Sequence, residues 1–250
     1  MIILKSSQEV AKMRRAGRIV ADTIDEVTAS VKPGMTTKDL DEIAEKSIRD
    51  REATPSFLGY RGFPASICSS LNDEVVHGIP GPRKLQAGDV LSLDFGAIWE
   101  GYHADSAVTV FVGEPPSDEA EKLVRVTEES LEAAISQVRA GNHLSDISNA
   151  VQNVVEGAGF TVVREYVGHG IGRNLHEDPQ IPNYGPPGRG PELKTGLVIA
   201  IEPMVNMGGW ETRVLADDWT VVTADGSLSA HFEHTVAVTD DGPEVLTARS

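Results

Sequence analysis

Val90-Leu91-Ser92-Leu93-Asp94 and Val198-Ile199-Ala200-Ile201-Glu202 are two apolar runs that each close on a carboxylate. Successive side chains of a strand point to opposite faces, so Val90, Ser92 and Asp94 share one face while Leu91 and Leu93 take the other. The second run repeats the pattern. Asp and Glu are depleted in strands and are seldom buried unless paired or bound to a cation, so a carboxylate that closes such a strand requires a partner.

The correspondence extends in both directions. Leu85-Gln86-Ala87-Gly88 precedes the first run and Leu193-Lys194-Thr195-Gly196 the second, so Leu, Gly, Val and the carboxylate recur at one offset, 94 to 202. Each run is followed by a second carboxylate, in Asp105-Ser106-Ala107-Val108-Thr109-Val110 and in Glu233-His234-Thr235-Val236-Ala237-Val238. Val31-Lys32-Pro33-Gly34 with Asp39-Leu40 likewise matches Val138-Arg139-Ala140-Gly141 with Asp146-Ile147. The chain reads as a degenerate duplication, with halves at approximately 1–114 and 115–250 interlocked in a single domain.

The helices fall before the strands in both halves. Ser6 and Glu9 form a capping box ahead of Val10, Met13, Gly17, Val20, Ile24, Val27 and Val31, and Pro33-Gly34 stops this first helix,. A second is expected from about Thr37 to Arg51, a third from a Ser117 cap to about Arg139, and a fourth from about Leu144 to Glu156,. Strands are expected around Ser66–Ser70, Glu74–His77, Val90–Val112, Phe160–Tyr166 and Val198, with a long hairpin from Trp210 to Thr239. Helices then strands, twice, predict an α/β (α+β) fold with a curved antiparallel sheet covered by helices on one side.

Composition narrows the function. The 250 residues carry a net charge of −16, which disfavours binding to the phosphate backbone of DNA or RNA,. One cysteine, Cys68, excludes an intramolecular disulfide and suits a reducing compartment,. The opening residues lack the apolar core of a signal peptide, and no apolar run approaches the ~20 residues of a membrane span,. A cytoplasmic enzyme or binding protein is expected.

If the two halves are related by an approximate two-fold axis, Asp94, Asp105, Glu202 and Glu233 converge. Four clustered carboxylates repel one another without cations. Two divalent metals about 3.5–4 Å apart would neutralise them and hold a water between them. His169, flanked by Gly168 and Gly170, and His77, in Val76-His77-Gly78-Ile79-Pro80, are the imidazole candidates. Oxygen ligands with at most one imidazole suit Mn, Fe(II) or Co better than a zinc–thiolate arrangement.

Three other motifs fail. Gln180 stands where an HExxH motif beginning at His176-Glu177 would need its second histidine, and Pro179 would break the required helix,. Gly168, Gly170 and Gly172 are followed by Arg173, which spoils a dinucleotide fingerprint,. Cys68 has no thiol partner or activating neighbour in sequence and is structural or pocket-lining.

The order Asp94, Asp105, His169, Glu202, Glu233, with His77 before Gly-Ile-Pro and His176 seven residues after His169, resembles the type I methionine aminopeptidases over nearly the whole chain. The resemblance implies the short bacterial form, a pita-bread fold, and removal of the initiator methionine from nascent polypeptide N-termini when the second residue is small. It implies that Asp94 chelates one metal ion, that Asp105 and Glu233 bridge two, and that His169 and Glu202 complete the shell of the second metal. Glu202 would also shuttle the proton of the bridging water. His77 and His176 would contact substrate and stabilise the oxyanion, and Tyr60, Phe63, Cys68 and Trp219 would line the methionine pocket, although plain core packing explains each of these four as well. Leu175 and His231 depart from the family pattern, where Phe and Gln are common. The resemblance further implies a monomer with transient ribosome association.

Two alternatives remain at this point: an Xaa-Pro aminopeptidase of the same fold, which usually carries an extra amino-terminal domain, and a non-catalytic binding module. The second is disfavoured by a complete ligand set.

Overall fold

The computed structural model describes residues 1–249. The first half runs α1 (Ser7–Ser30), α2 (Thr37–Asp50), β1 (Thr54–Pro55), β2 (Ile67–Leu71), β3 (Glu74–Val76), β4 (Val90–Trp99) and β5 (Tyr102–Phe111). The second opens with α3 (Asp118–Ser136) and α4 (Leu144–Gly157), then β6 (Thr161–Val162), β7 (Gly168–Gly170), β8 (Glu177–Ile181), β9 (Val198–Ile201) and β10 (Met204–Asn206). It closes with β11 (Thr212–Val214), β12 (Val221–Thr223), β13 (Ser229–His231), β14 (His234–Thr239) and β15 (Gly242–Val245).

The Ser6–Glu9 capping box forms: Ser6 N donates to Glu9 Oε2 at 2.9 Å and Glu9 N to Ser6 Oγ at 3.4 Å. Met13, Gly17, Val20, Ile24 and Val27 are buried along one face of α1, as their spacing requires,. α1 ends at Ser30, because Val31 turns to extended geometry ahead of Pro33,. α3 stops three residues earlier than its apolar spacing predicts. Its last turn tightens, with Val138 N bonding Ile135 O, and Asn142 Nδ2 then caps Gln137 O,.

The internal repeat is visible in the backbone. Gly34 and Gly141 have φ of 92° and 94°, and Gly88 and Gly196 both have φ of 91°. Gly34 N donates to Leu85 O, and Gly141 N to Leu193 O. The same turn is therefore tied to the same strand entrance twice.

Among the described residues the strands pair antiparallel, in four hydrogen-bonded sheets: β1-β4-β2 with β5 on β4, β13-β10-β6, β11-β12-β3, and β15-β14-β9-β7-β8. Residues 210–239 do not form one long hairpin. β11 and β12 make a short hairpin against β3, whereas β13 pairs with β10 and β14 with β9. Asp225 divides the segment: its carboxylate accepts from Gly209 N and Ser227 N and turns the chain at Gly226,. The expected strand over 160–166 is paired in a ladder at Thr161–Val162, after which Arg164 leaves the sheet to lie across the rings of Trp210 and Tyr184.

Ile19, Val20 and Ile24 of α1 share a core with Leu91, Leu93 and Phe95. The opposite face of β4, which carries Ser92 and Asp94, is thereby left for the interior between the halves. Ser92 Oγ lies 2.9 Å from Thr109 Oγ1, and Thr109 Oγ1 donates to His231 O.

Candidate metal centre and adjoining cavity

Register brings the acidic residues together. On the β4–β5 ladder Asp94 faces Ala107 and Asp105 faces Gly96, so the two aspartates are diagonal neighbours on one face,. Cys68 sits directly opposite Asp94 on the other side. In the second half His169 pairs with Ala200, and the ladder ends at His234–Ile201, one step short of Glu233 and Glu202. Two backbone bonds join these ladders: Ala107 N donates to Glu233 O at 3.3 Å and Glu233 N to Ala107 O at 3.0 Å.

Asp105, His169 and Glu233 are buried, with ligand atoms all within 4.8 Å of one another. His169 Nε2 lies 3.6 Å from Asp105 Oδ2 and 3.7 Å from Glu202 Oε1. Those separations are too long for hydrogen bonds, and they match donors arranged about a common centre, since bonds of about 2.1 Å to one ion put ligand atoms about 3–4 Å apart. His169 Nδ1 is 2.9 Å from Gly170 O, a pure acceptor, which assigns the proton to Nδ1 and leaves the Nε2 lone pair facing the carboxylates,.

The carboxylates are unsettled by one another. Burial raises Asp94 and Glu202 well above their ordinary values, and Asp105 beside Asp94, and Asp94 with Asp105 beside Glu202, raise them further. Glu233 is driven up by burial and then by Asp105, Asp94 and Glu202. Burial also raises Asp105, against the pull of His169. Asp94 Oδ1 is buried without a hydrogen-bond partner. An orphaned oxygen, a directed imidazole lone pair and mutually repelling acids all fit a site for cations.

A cavity of about 150 Å³ opens beside this cluster and is lined by Tyr60, Phe63, Cys68, His77, Asp94, Asp105, His169, His176, Glu202, Trp219 and Glu233, so every candidate named from sequence reaches it. Its apolar wall is built from ring contacts. Phe63 meets Trp219 edge to face at 5.1 Å, and His77 meets Trp219 at 6.2 Å and Tyr166 at 5.7 Å. At the rim, Tyr60 Oη is 2.9 Å from His176 Nδ1 and the two rings stack.

Burial pushes His77 down to about 4, so it is neutral at neutral pH. Its backbone is left-handed, with φ of 62°, and Gly78 follows because a Cβ there would lie 2.2 Å from Ser69 O. Non-glycine residues in this region store strain, often at functional sites.

Phe57 and Arg61 also line the cavity, and Arg61 was not among the sequence candidates. Arg61 stands between Gly59 and Gly62 in a loop of positive φ, and that glycine spacing was the available signal. Leu175 lines the wall, whereas His231 lies behind Glu202, its unpartnered Nε2 3.9 Å from Glu202 Oε2.

The sequence profile of metallopeptidase family M24 matches residues 11–240. The chain belongs to metallopeptidase family M24. This M24 chain is 57% identical to methionine aminopeptidase 1 of Bacillus subtilis, over 99% of each chain. It is 51% identical to methionine aminopeptidase 1 of Mycobacterium tuberculosis, over 97% of this chain and 94% of that one. The crystal structure of methionine aminopeptidase from Thermotoga maritima superposes with a TM-score of 0.97 at 47% identity, each chain fully covered. The architecture is the pita-bread fold. A prolidase from Pyrococcus furiosus shares that fold at 20% identity and a TM-score of 0.82, with 66% of its length covered. As an M24 metallopeptidase, the chain has in its buried Asp-His-Glu group the ligand chemistry the family name requires.

Proposed function

We propose that this M24 chain is a methionine aminopeptidase, which releases the N-terminal methionine of polypeptides whose second residue is small. The observation that carries the reading is the convergence of Asp94, Asp105, His169, Glu202 and Glu233 on one cavity whose other wall is apolar and aromatic. Full-length relatives with that activity in their names support it.

Asp94 would hold one divalent ion, Asp105 and Glu233 two in common, and His169 with Glu202 the second. When bound, such ions offset the carboxylate charge, polarise a carbonyl and acidify water. The remaining steps belong to the protein. Tyr60, Phe63, Cys68 and Trp219 receive the methionine side chain and exclude water from it. With Tyr60 O–H donating to His176 Nδ1, His176 Nε2–H is free to donate, and neutral His77 offers a second donor. Donors of this kind to the peptide oxygen are worth roughly 3–4 kcal/mol each in other hydrolases. Glu202 accepts a proton from the attacking water and returns it to the leaving amine.

The oxygen-rich ligand set favours manganese, iron(II) or cobalt. We further infer a single catalytic domain of two halves, a cytoplasmic monomer, and transient encounter with ribosomes where nascent N-termini emerge. No helix among the described residues is long and apolar enough to cross a membrane.

Metal-stripped protein should be given Met-Ala-Ser and Met-Leu-Ser peptides before and after addition of Mn, Fe(II) or Co without oxygen. Methionine released from the first peptide alone, and with metal alone, is the expected result. Folded protein that releases none with any metal would sink the reading.

A further inference from the structure

We propose that Lys5 is a positioning residue for His176, acting through a buried ion pair with Glu177. This rests on the reading that His176 contacts substrate. Lys5 Nζ lies 2.8 Å from Glu177 Oε2, with the two side chains 3% and 5% exposed. Lys and Glu are almost never buried so completely unless paired. A pair of this kind adds little net stability, because desolvation of both ions offsets their attraction. What it does supply is fixed geometry.

The geometry bears directly on His176. Glu177, its immediate neighbour, divides its two oxygens: Oε2 takes Lys5, and Oε1 accepts from Asn174 N at 3.1 Å. The carboxylate thus closes the short loop from Asn174 to Glu177, with His176 inside it. Lys5 Nζ also donates to Ile3 O, and Lys5 N donates to Gly196 O at 2.7 Å, on the segment leading into β9. β9 in turn leads to Glu202. Lys5 therefore ties the two together, its ammonium holding the His176 loop and its backbone N–H the segment that leads to Glu202.

The space for this pair is specifically provided. A Cβ at Gly172 would lie 2.7 Å from Glu177 Oε1 and 2.7 Å from Lys5 Cε. From the cavity side Tyr60 Oη holds the His176 ring at Nδ1, so ring and backbone are fixed by separate contacts. Loss of the Lys5 anchor frees the backbone side without removing any cavity-lining side chain.

The test is a kinetic cycle on the metal-loaded enzyme. Lys5→Met should lower kcat on the order of tenfold with KM little changed, since a small misplacement of a reacting group is costly. Lys5→Arg should restore most of it. In a His176→Ala background, Lys5→Met should cause no further loss, because the residue it positions is gone. The His176 ring proton resonance should also shift in Lys5→Met.

Wild-type kcat in Lys5→Met, or an equal loss in the His176→Ala background, would overturn the inference. Wild-type kcat in His176→Ala alone would instead overturn the role given to His176. If Lys5→Met is too unstable to assay, Lys5→Met/Glu177→Met buries no lone charge and should show the same dependence on His176.

Discussion

Thr235 and Asp105 are joined three ways across the seam between the two halves. Thr235 Oγ1 lies 2.8 Å from Asp105 O and 2.9 Å from Asp105 Oδ1, and it accepts from Asp105 N at 3.0 Å. A hydroxyl from the second half therefore orients a carboxylate of the first.

Thr235→Val keeps the shape and removes the hydroxyl. Asp105 N then loses its acceptor, and Oδ1 is freed to rotate. Metal affinity should fall about 10–100-fold, as it does when outer partners of ligands are lost elsewhere. Calorimetric titration of the stripped protein measures this. An unchanged affinity would show that the seam hydroxyl does not orient the ligand.

Glu202→Gln separates the electrostatics from the chemistry. A carboxyl whose folded pKa is raised holds its proton more tightly in the folded state, so its contribution to stability declines as pH rises past its ordinary value of 4.5,. The metal-free variant should therefore be more stable than the metal-free parent at about pH 7.5, and the gap should close toward about pH 4.5. Buried neutral His77 works in the opposite sense below its ordinary 6.5, but it is common to both proteins and largely cancels in the difference. Urea melts with chelator across this range test the sign. With metal added, the variant should turn over no substrate.

Gly170 has no room for a side chain. A Cβ there would lie 2.2 Å from Asp178 O, in the backbone of the neighbouring strand. Gly170→Ala should cost about 3 kcal/mol or more and lower the melting temperature by roughly 6–12 °C. His169 is adjacent, so metal affinity should fall with it. A melting temperature equal to the parent's would mean that β7 and β8 separate without cost.

Cys68 should be inert. It is 6% exposed, and burial, then Asp94, Glu233 and Asp41, raise its thiol well above the ordinary value. Iodoacetamide at about pH 8 should leave the folded chain unmodified and add one carbamidomethyl group after denaturation, read by intact mass. Prompt labelling of the folded protein would place the thiol in open solvent.

The duplication was legible because strand alternation and turn glycines repeat at nearly constant offsets. Leu91 and Leu93 face the helical core, and Asp94 faces the cavity, as alternation alone required. The partner choices of residues 210–239 were not legible, because pairing of β13 with β10 and β14 with β9 depends on segments remote in sequence. Similar limits apply to the cavity. Arg61 reaches it through a left-handed backbone, which the flanking Gly59 and Gly62 hint at without saying where the side chain goes, and the Lys5–Glu177 contact spans 172 residues.

The seam has a consequence for how the molecule is held together. Asp94 and Asp105 arrive on β4 and β5, while His169, Glu202 and Glu233 arrive with β7, β9 and β14, Glu233 more than a hundred residues beyond either aspartate. Cations gripped from both sides would clasp distant parts of the chain as a disulfide does in a secreted protein. With a single thiol, this chain would have that clasp in a reversible form. Its rigidity would then rise and fall with the supply of metal.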